Sequence, residues 1–439
     1  MLIEAFTQTV FGNVYFLGGN DDINVGAGVT ITSLGSSDSH ANEFDAITTY
    51  QGQHTFTVSG TINGFDEGIN TIGCTAAQTV EILATGVINS GYNSTVVDAD
   101  GVILDGVSST LINRGLINAQ GSGVMINALR HTENIGGVDV TFAGTTVVTN
   151  YGTITADKYG IWVQYGTAAT SFINFGTVES GLGSFRGGEG IDIVTNRGIM
   201  RGDVTLGNGD DTYSSTNGRV IGTIFGGNGD DTFVVGNKIE RIDGGDGLDT
   251  LDFTFVKEAL TVDLSNNANN VGRRVASDTY TGIEVILGTS LNDVFLGDGL
   301  NNVLVGNRGA DILSGGIGND TLVGGVGLDT LTGGLGSDVF VFNARNTIGD
   351  VITDFDATVD RISLEGSAFG YGDYAGGVSV DDFVISNRAF ALDATDRFVF
   401  RTTDASLWFD ADGVGGLSPI RIADLQDGAH LSSYQLLIV

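Results

Sequence analysis

Six nine-residue copies run without a slip from Gly288 to Val341, and no other feature limits the fold of this chain so tightly. They read GTSLNDVFL, GDGLNNVLV, GNRGADILS, GGIGNDTLV, GGVGLDTLT and GGLGSDVFV. Glycine opens each copy, at Gly288, Gly297, Gly306, Gly315, Gly324 and Gly333. An acid or amide stands sixth (Asp293, Asn302, Asp311, Asp320, Asp329, Asp338), and a large apolar residue stands eighth (Phe295, Leu304, Leu313, Leu322, Leu331, Phe340). Nine residues are too few for a helical repeat and too many for one strand, so each copy pairs a tight glycine turn with a short strand. No single copy can bury its eighth residue; stacked copies can, and the result is an all-β parallel solenoid.

The sixth carboxylate belongs in the turn, beside carbonyls freed by the bend. Two such turns stacked one above the other offer an all-oxygen cage, which suits a hard cation such as calcium. Successive turns should alternate between two sides, so ligands for one ion come from copies eighteen residues apart. That pairs Asp293 with Asp311, Asp311 with Asp329, and Asp320 with Asp338. Related turns occur earlier, in GGEGIDIV, LGNGDDTY, GGNGDDTF and GGDGLDTL, with Asp192, Asp211, Asp231 and Asp249 sixth. Those acids are 19, 20 and 18 residues apart, about one coil each time, and are expected to stack likewise. The predicted ligand set is therefore these nine aspartates with the turn-opening Gly226, Gly244, Gly306, Gly315, Gly324 and Gly333.

A looser repeat lies upstream. Asn113-Arg-Gly, Asn150-Tyr-Gly, Asn174-Phe-Gly and Asn196-Arg-Gly recur between short β-rich segments, the first gap holding an insertion around residues 130–139. This pattern has no helical period and reads as coils of a β-helix. Asparagine at a repeated inward corner can bond to its neighbours in adjacent coils. The residues that follow, Arg114, Tyr151, Phe175 and Arg197, should face outward and, stacked, form an aromatic–cationic strip suited to sugars.

The nonapeptide copies resemble the repeats-in-toxin (hemolysin-type) motif GGxGxDxUx, where U is a large apolar residue. That resemblance implies a calcium-loaded parallel β-roll. The run departs from the motif at Asn302, and at Thr289, Asp298 and Asn307 in the second glycine position, so the first two copies are expected to bind weakly. The upstream coils resemble right-handed parallel β-helix proteins. Residues 252–287 are similar to the spacer that precedes such repeats. The segment Asp350–Leu364, with Arg397–Phe400, Leu407–Gly413 and Leu436–Val439, resembles the end of proteins exported by the type I pathway. The resemblance implies an uncleaved C-terminal secretion signal and an extracellular protein. Asp410–Gly413 looks like the start of an EF-hand loop but lacks the closing glutamate, and reads as a hairpin turn. The expected organisation is a β cap at 1–55, β-helix coils at 56–251, a spacer at 252–287, a β-roll at 288–342, and a C-terminal cap with secretion signal at 343–439.

Composition narrows the function. With 19 Lys+Arg against 53 Asp+Glu, the net charge of −34 disfavours nucleic acid and anionic membranes and favours divalent cations. One cysteine, Cys74, allows no internal disulfide, and His40, His54, His131 and His430 show no metal spacing. No apolar run is long enough to span a bilayer, and the N-terminus lacks the basic start and cleavage site of a signal peptide. In calcium-poor cytosol such a chain should stay unfolded and fit for export. Outside, each site at calcium ~100-fold above Kd adds about 2.7 kcal/mol of stability. The expected role is a non-catalytic matrix, surface-layer or adhesin-like protein. The rival is an epimerase, lyase or hydrolase of acidic polysaccharide, for which Asp98, Asp100, Asp105, Arg130, His131, Asp157, Lys158 and Tyr159 are available.

Overall fold

A computed structural model describes the chain apart from residues 1, 12–14, 18–20, 35–44, 50–51, 72–73, 75, 92–98, 107, 128–130, 136–137, 143, 165–167, 216, 237, 239, 274 and 344–348. His40, Asp98 and Arg130 lie outside the described residues, as does the His131 side chain. The chain forms two compact units, Met1–Asp249 and Thr250–Val439, each a parallel β-solenoid.

In the first unit each mature coil contributes up to three short strands. Thr110–Asn113, Leu116–Ala119 and Val124–Asn127 make up one coil. Their partners in the next are Thr146–Asn150, Thr153–Ala156 and Tyr159–Val163, all parallel and with Asn113 opposite Asn150. β-Branched and apolar residues alternate with polar ones, so one side of these strands is sealed: Leu111, Ile117, Val148, Ile154 and Phe172 are fully buried. The insertion expected in the long asparagine gap is an antiparallel hairpin, His131–Ile135 with Val138–Phe142. Parallel stacking already begins at Leu2–Glu4, which pairs with Asp22–Val25.

The expected asparagine ladder runs through this unit. Asn113 Nδ2 donates to Asn150 Oδ1 at 2.9 Å, Asn150 to Asn174 at 2.8 Å, and Asn174 to Asn196 at 3.0 Å. The ladder satisfies amides with no access to water.

In the second unit the nine-residue beat alternates between two sheets. Val294–Leu296, Ile312–Ile317 and Thr330–Leu335 stack on one side; Val303–Val305, Thr321–Val323 and Val339–Phe342 stack on the other. All six eighth-position residues are buried between them. The segment 252–287 also supplies strands to both stacks, since Thr261–Asp263 pairs with Val294–Leu296 and Val285–Leu287 with Val303–Val305. At the other end, Arg361–Leu364 extends the second stack and Leu436–Ile438 pairs with it in turn. The Asp410–Gly413 segment lies in the loop of an antiparallel hairpin, Ser406–Phe409 with Ile420–Leu425.

Candidate metal centre

Stacked turns place the sixth-position carboxylates in columns. In the first unit the N–H of Asp192 donates to Asp211 Oδ1 at 2.7 Å, that of Asp211 to Asp231 at 2.8 Å, and that of Asp231 to Asp249 at 2.9 Å. The second unit holds two columns. In one, Asp293 donates to Asp311 at 2.7 Å and Asp311 to Asp329 at 2.8 Å. In the other, Asn302 donates to Asp320 at 2.7 Å and Asp320 to Asp338 at 2.9 Å. The residues eighteen apart that the spacing pairs are thus neighbours in space.

One oxygen of each accepting carboxylate is consumed by this backbone bond. The other is not: Oδ2 of Asp211, Asp231, Asp311, Asp320, Asp329 and Asp338 is buried without a hydrogen-bond partner. Such an atom is costly unless something positive meets it. What faces it is more oxygen. A Cβ added to Gly306 would overlap Asp311 Oδ2 and approach the carbonyl of Gly324 one coil on; at Gly226 it would overlap Asp231 Oδ2 and the carbonyl of Gly244. At Gly315, Gly324 and Gly333 an added Cβ would likewise overlap Oδ2 of Asp320, Asp329 and Asp338. The missing side chain leaves a cradle lined by carboxylate and carbonyl oxygens, which suits calcium. At the second turn position Gly325 has a positive φ of +96°, and Asn307 takes +70°, a conformation asparagine tolerates.

The electrostatics agree with that donor set. Burial, aided by the negative charge of Asp192 and Asp231, pushes the Asp211 carboxyl up to about 8. Burial pushes Asp311 up to about 7, Asp192 to about 7 and Asp231 to about 6, and it raises Asp320, Asp329 and Asp338. A cation reverses this cost by stabilising the ionised form.

The column ends differ. Asp293 has both oxygens satisfied by backbone, Oδ1 by Leu260 N–H and Oδ2 by Thr289 N–H, each at 2.8 Å. Asn302 turns its amide to the Ile283 carbonyl at 3.4 Å and accepts from Asp298 N–H at 2.9 Å. These two copies begin the columns with groups already bonded, where the motif departures lie. Two acids outside the predicted set continue the columns. Asp329 N–H donates to Asp350 Oδ1 at 3.1 Å, and Asp338 N–H to Asp360 Oδ1 at 3.0 Å. Asp360 Oδ2 is capped by Asp356 N–H at 2.8 Å. Their only sequence signal is a spacing of 21 and 22 residues, which the nine-residue beat does not reveal.

The described residues considered for polysaccharide chemistry have these surroundings. Asp100 is buried and accepts the Ser122 N–H at 2.5 Å, and Tyr159 accepts from Arg186 Nη1 at 2.6 Å. Asp105 Oδ1 accepts the next N–H, and Asp157 and Lys158 occupy the turn before Tyr159. The outward strip does form: Arg114 lies 5.4 Å over Tyr151, Tyr151 stacks on Phe175 at 4.8 Å, and Arg197 lies 5.6 Å over Phe175. Its ring faces are turned on one another, leaving edges rather than faces for a ligand.

Comparison with known proteins agrees with the second-unit columns. Residues 287–322, 296–331 and 314–344 match the RTX calcium-binding nonapeptide repeat family, whose pattern spans four copies. Among solved structures, the AlgE6R3 subunit of the Azotobacter vinelandii mannuronan C5-epimerase matches at 29% identity, over 34% of this chain and 80% of that one, with a TM-score of 0.24. No curated protein matches. The chain is a calcium-binding β-solenoid carrying RTX-type repeats.

Proposed function

We propose that this is an extracellular protein whose folding is driven by calcium and whose role is non-catalytic, as a surface, matrix or adhesin-like component. One observation carries this reading: aspartate oxygens of Asp211, Asp231, Asp311, Asp320, Asp329 and Asp338 are buried without a hydrogen-bond partner, with a glycine carbonyl from the next coil close by at Asp231 and Asp311. Asp211, Asp231, Asp311, Asp320, Asp329 and Asp338 would hold the ions, with carbonyls of Gly244 and Gly324 among the further ligands. Asp192 and Asp249 complete the first-unit column, and Asp293 begins a second-unit column without offering a spare oxygen. Bound calcium supplies positive charge that lets the carboxylates ionise inside the fold.

Linkage gives the arrangement its use. An ion that binds only the folded state stabilises it in proportion to the logarithm of its concentration. Where free calcium is scarce, columns of like charge oppose folding; where it is plentiful, they favour it. A chain kept unfolded before export and folded after it fits the type I pathway, with the region after residue 342 acting as its signal. The five-part division of the chain belongs to the same proposal. An acidic polysaccharide would meet the cationic ends of the Arg114–Arg197 strip.

Expression beside a type I exporter tests the compartment. The full chain should reach the medium, and a chain ending at residue 342 should stay in the cell; equal retention of both would overturn export by this route. Calcium-loaded protein incubated with uronate-containing polysaccharides should leave them intact, and unsaturated or shortened products would refute the non-catalytic role.

A further inference from the structure

Three acids stack at one corner of the first unit, upstream of every nonapeptide turn. Ile47, Ile69, Val102 and Val124 are register partners in successive parallel strands. Two residues before each stand Asp45, Glu67, Asp100 and Ser122, so one backbone corner carries a carboxylate in three consecutive coils. All three acids are buried. Asp45 Oδ1 accepts the Glu67 N–H at 3.3 Å, while Asp45 Oδ2 accepts from Thr48 Oγ1 and Asn70 Nδ2, both at 2.9 Å. Asp66 brings a half-buried carboxylate to the same place.

Glu67 is the member that points to a ligand. It is 8% exposed, and its Oε2 is buried without a hydrogen-bond partner. One carboxylate oxygen from each of Asp45, Asp66 and Glu67 lies within 4.8 Å of the other two. Calcium holds oxygens at about 2.3–2.6 Å, so three oxygens this close need draw in by at most a few tenths of an ångström to share one ion. The neighbouring charges that act on Glu67 are those of Asp45, Asp66 and Asp100, and all are negative. Buried carboxylates in such company are tolerated only when a proton or a cation separates them.

We propose that Asp45, Asp66 and Glu67 bind a calcium ion at a site separate from the nonapeptide columns. Its ligands come from two coils, as theirs do, but no nonapeptide turn is involved. The corner is an irregular one: the acids are 22 and 33 residues apart, and Asp66–Glu67 supplies two neighbouring carboxylates. The ion would tie the early coils of the unit together.

The test is radiocalcium equilibrium dialysis on the full chain and on its Glu67→Gln and Asp66→Asn variants, with circular dichroism in calcium as the check on folding. The site predicts one ion fewer per chain in each variant and an unchanged β spectrum. Folded variants that bind the full complement would overturn it and leave the acids sharing a proton. Should Glu67→Gln fail to fold, Asp66→Asn decides, together with anomalous scattering from crystals of the unmodified chain soaked in terbium. A peak among the three carboxylates supports the site; peaks confined to the nonapeptide columns refute it. A peak here without peaks there would refute the column reading instead.

Discussion

The backbone N–H of Asp311 donates to Asp329 Oδ1 at 2.8 Å, while Asp329 Oδ2, buried beside Gly324, meets no donor at all. One carboxylate thus does two jobs. Its first oxygen fixes the register of adjacent coils, and its second is left for a cation.

The two jobs can be separated with Asp329→Asn. The amide oxygen can still accept from Asp311, but an NH2 group replaces the spare oxygen and repels a cation. Expected is near-native β structure at saturating calcium with a raised calcium midpoint. The loss amounts to about 2.7 kcal/mol when calcium stands about 100-fold above Kd for that site. Calcium titration followed by circular dichroism checks it.

Glycine at the head of each turn is required for space. Gly324→Ala would drive a Cβ into Asp329 Oδ2, whereas Gly299→Ala meets nothing within 4 Å and has ordinary φ. The first variant should lose one ion and melt earlier in calcium; the second should match the unmodified chain. Paired calorimetric titrations and thermal melts distinguish them.

How far these contacts were legible varies with how regular the chain is. The pairing of Asp311 with Asp329 follows from a period of nine and two alternating sheets. The ladder from Asn113 to Asn196 follows from one residue recurring at one corner, whatever the insertions between. The stack of Arg114, Tyr151, Phe175 and Arg197 was legible as outward positions, but not that the rings would spend their faces on each other. Asp350 and Asp360 were missed as column members because residues 343–349 interrupt the beat. Asp45 and Glu67 were missed because their coils share strand register without sharing a motif. Register is set by which residues the neighbouring strands bury, and a single degenerate coil does not announce it.

Acidity should substitute for calcium. Burial holds Asp211 near 8 and Asp311 near 7 in the fold, against an ordinary value of about 3.9 in an unfolded chain. Between roughly pH 4 and 8 the metal-free fold therefore binds more protons than the unfolded chain, and its stability falls as pH rises. In chelator, β structure should be greater at pH 5 than at pH 8. In limiting calcium, acidification should instead release the ion as protons compete for the carboxylates. Circular dichroism against pH, with and without calcium, reads both signs.

The asparagine ladder should be indifferent to calcium. Asn150 is fully buried, accepts from Asn113 and donates to Asn174. Asn150→Ala removes the acceptor of an Asn113 amide N–H and the donor to Asn174 Oδ1 and the Thr177 carbonyl, and the buried donor left unpaired costs about 1–3 kcal/mol. The melting temperature of the first unit should drop, with calcium stoichiometry unchanged.

Calcium titration of the full, chelator-treated chain at pH 7.5, followed by far-ultraviolet circular dichroism, tests the central claim most directly. The carboxylate columns predict a weakly structured chain that gains β signal cooperatively as calcium is added and loses it again with chelator. A β spectrum that is complete in excess chelator, and melts cooperatively at the same temperature with or without calcium, would contradict it.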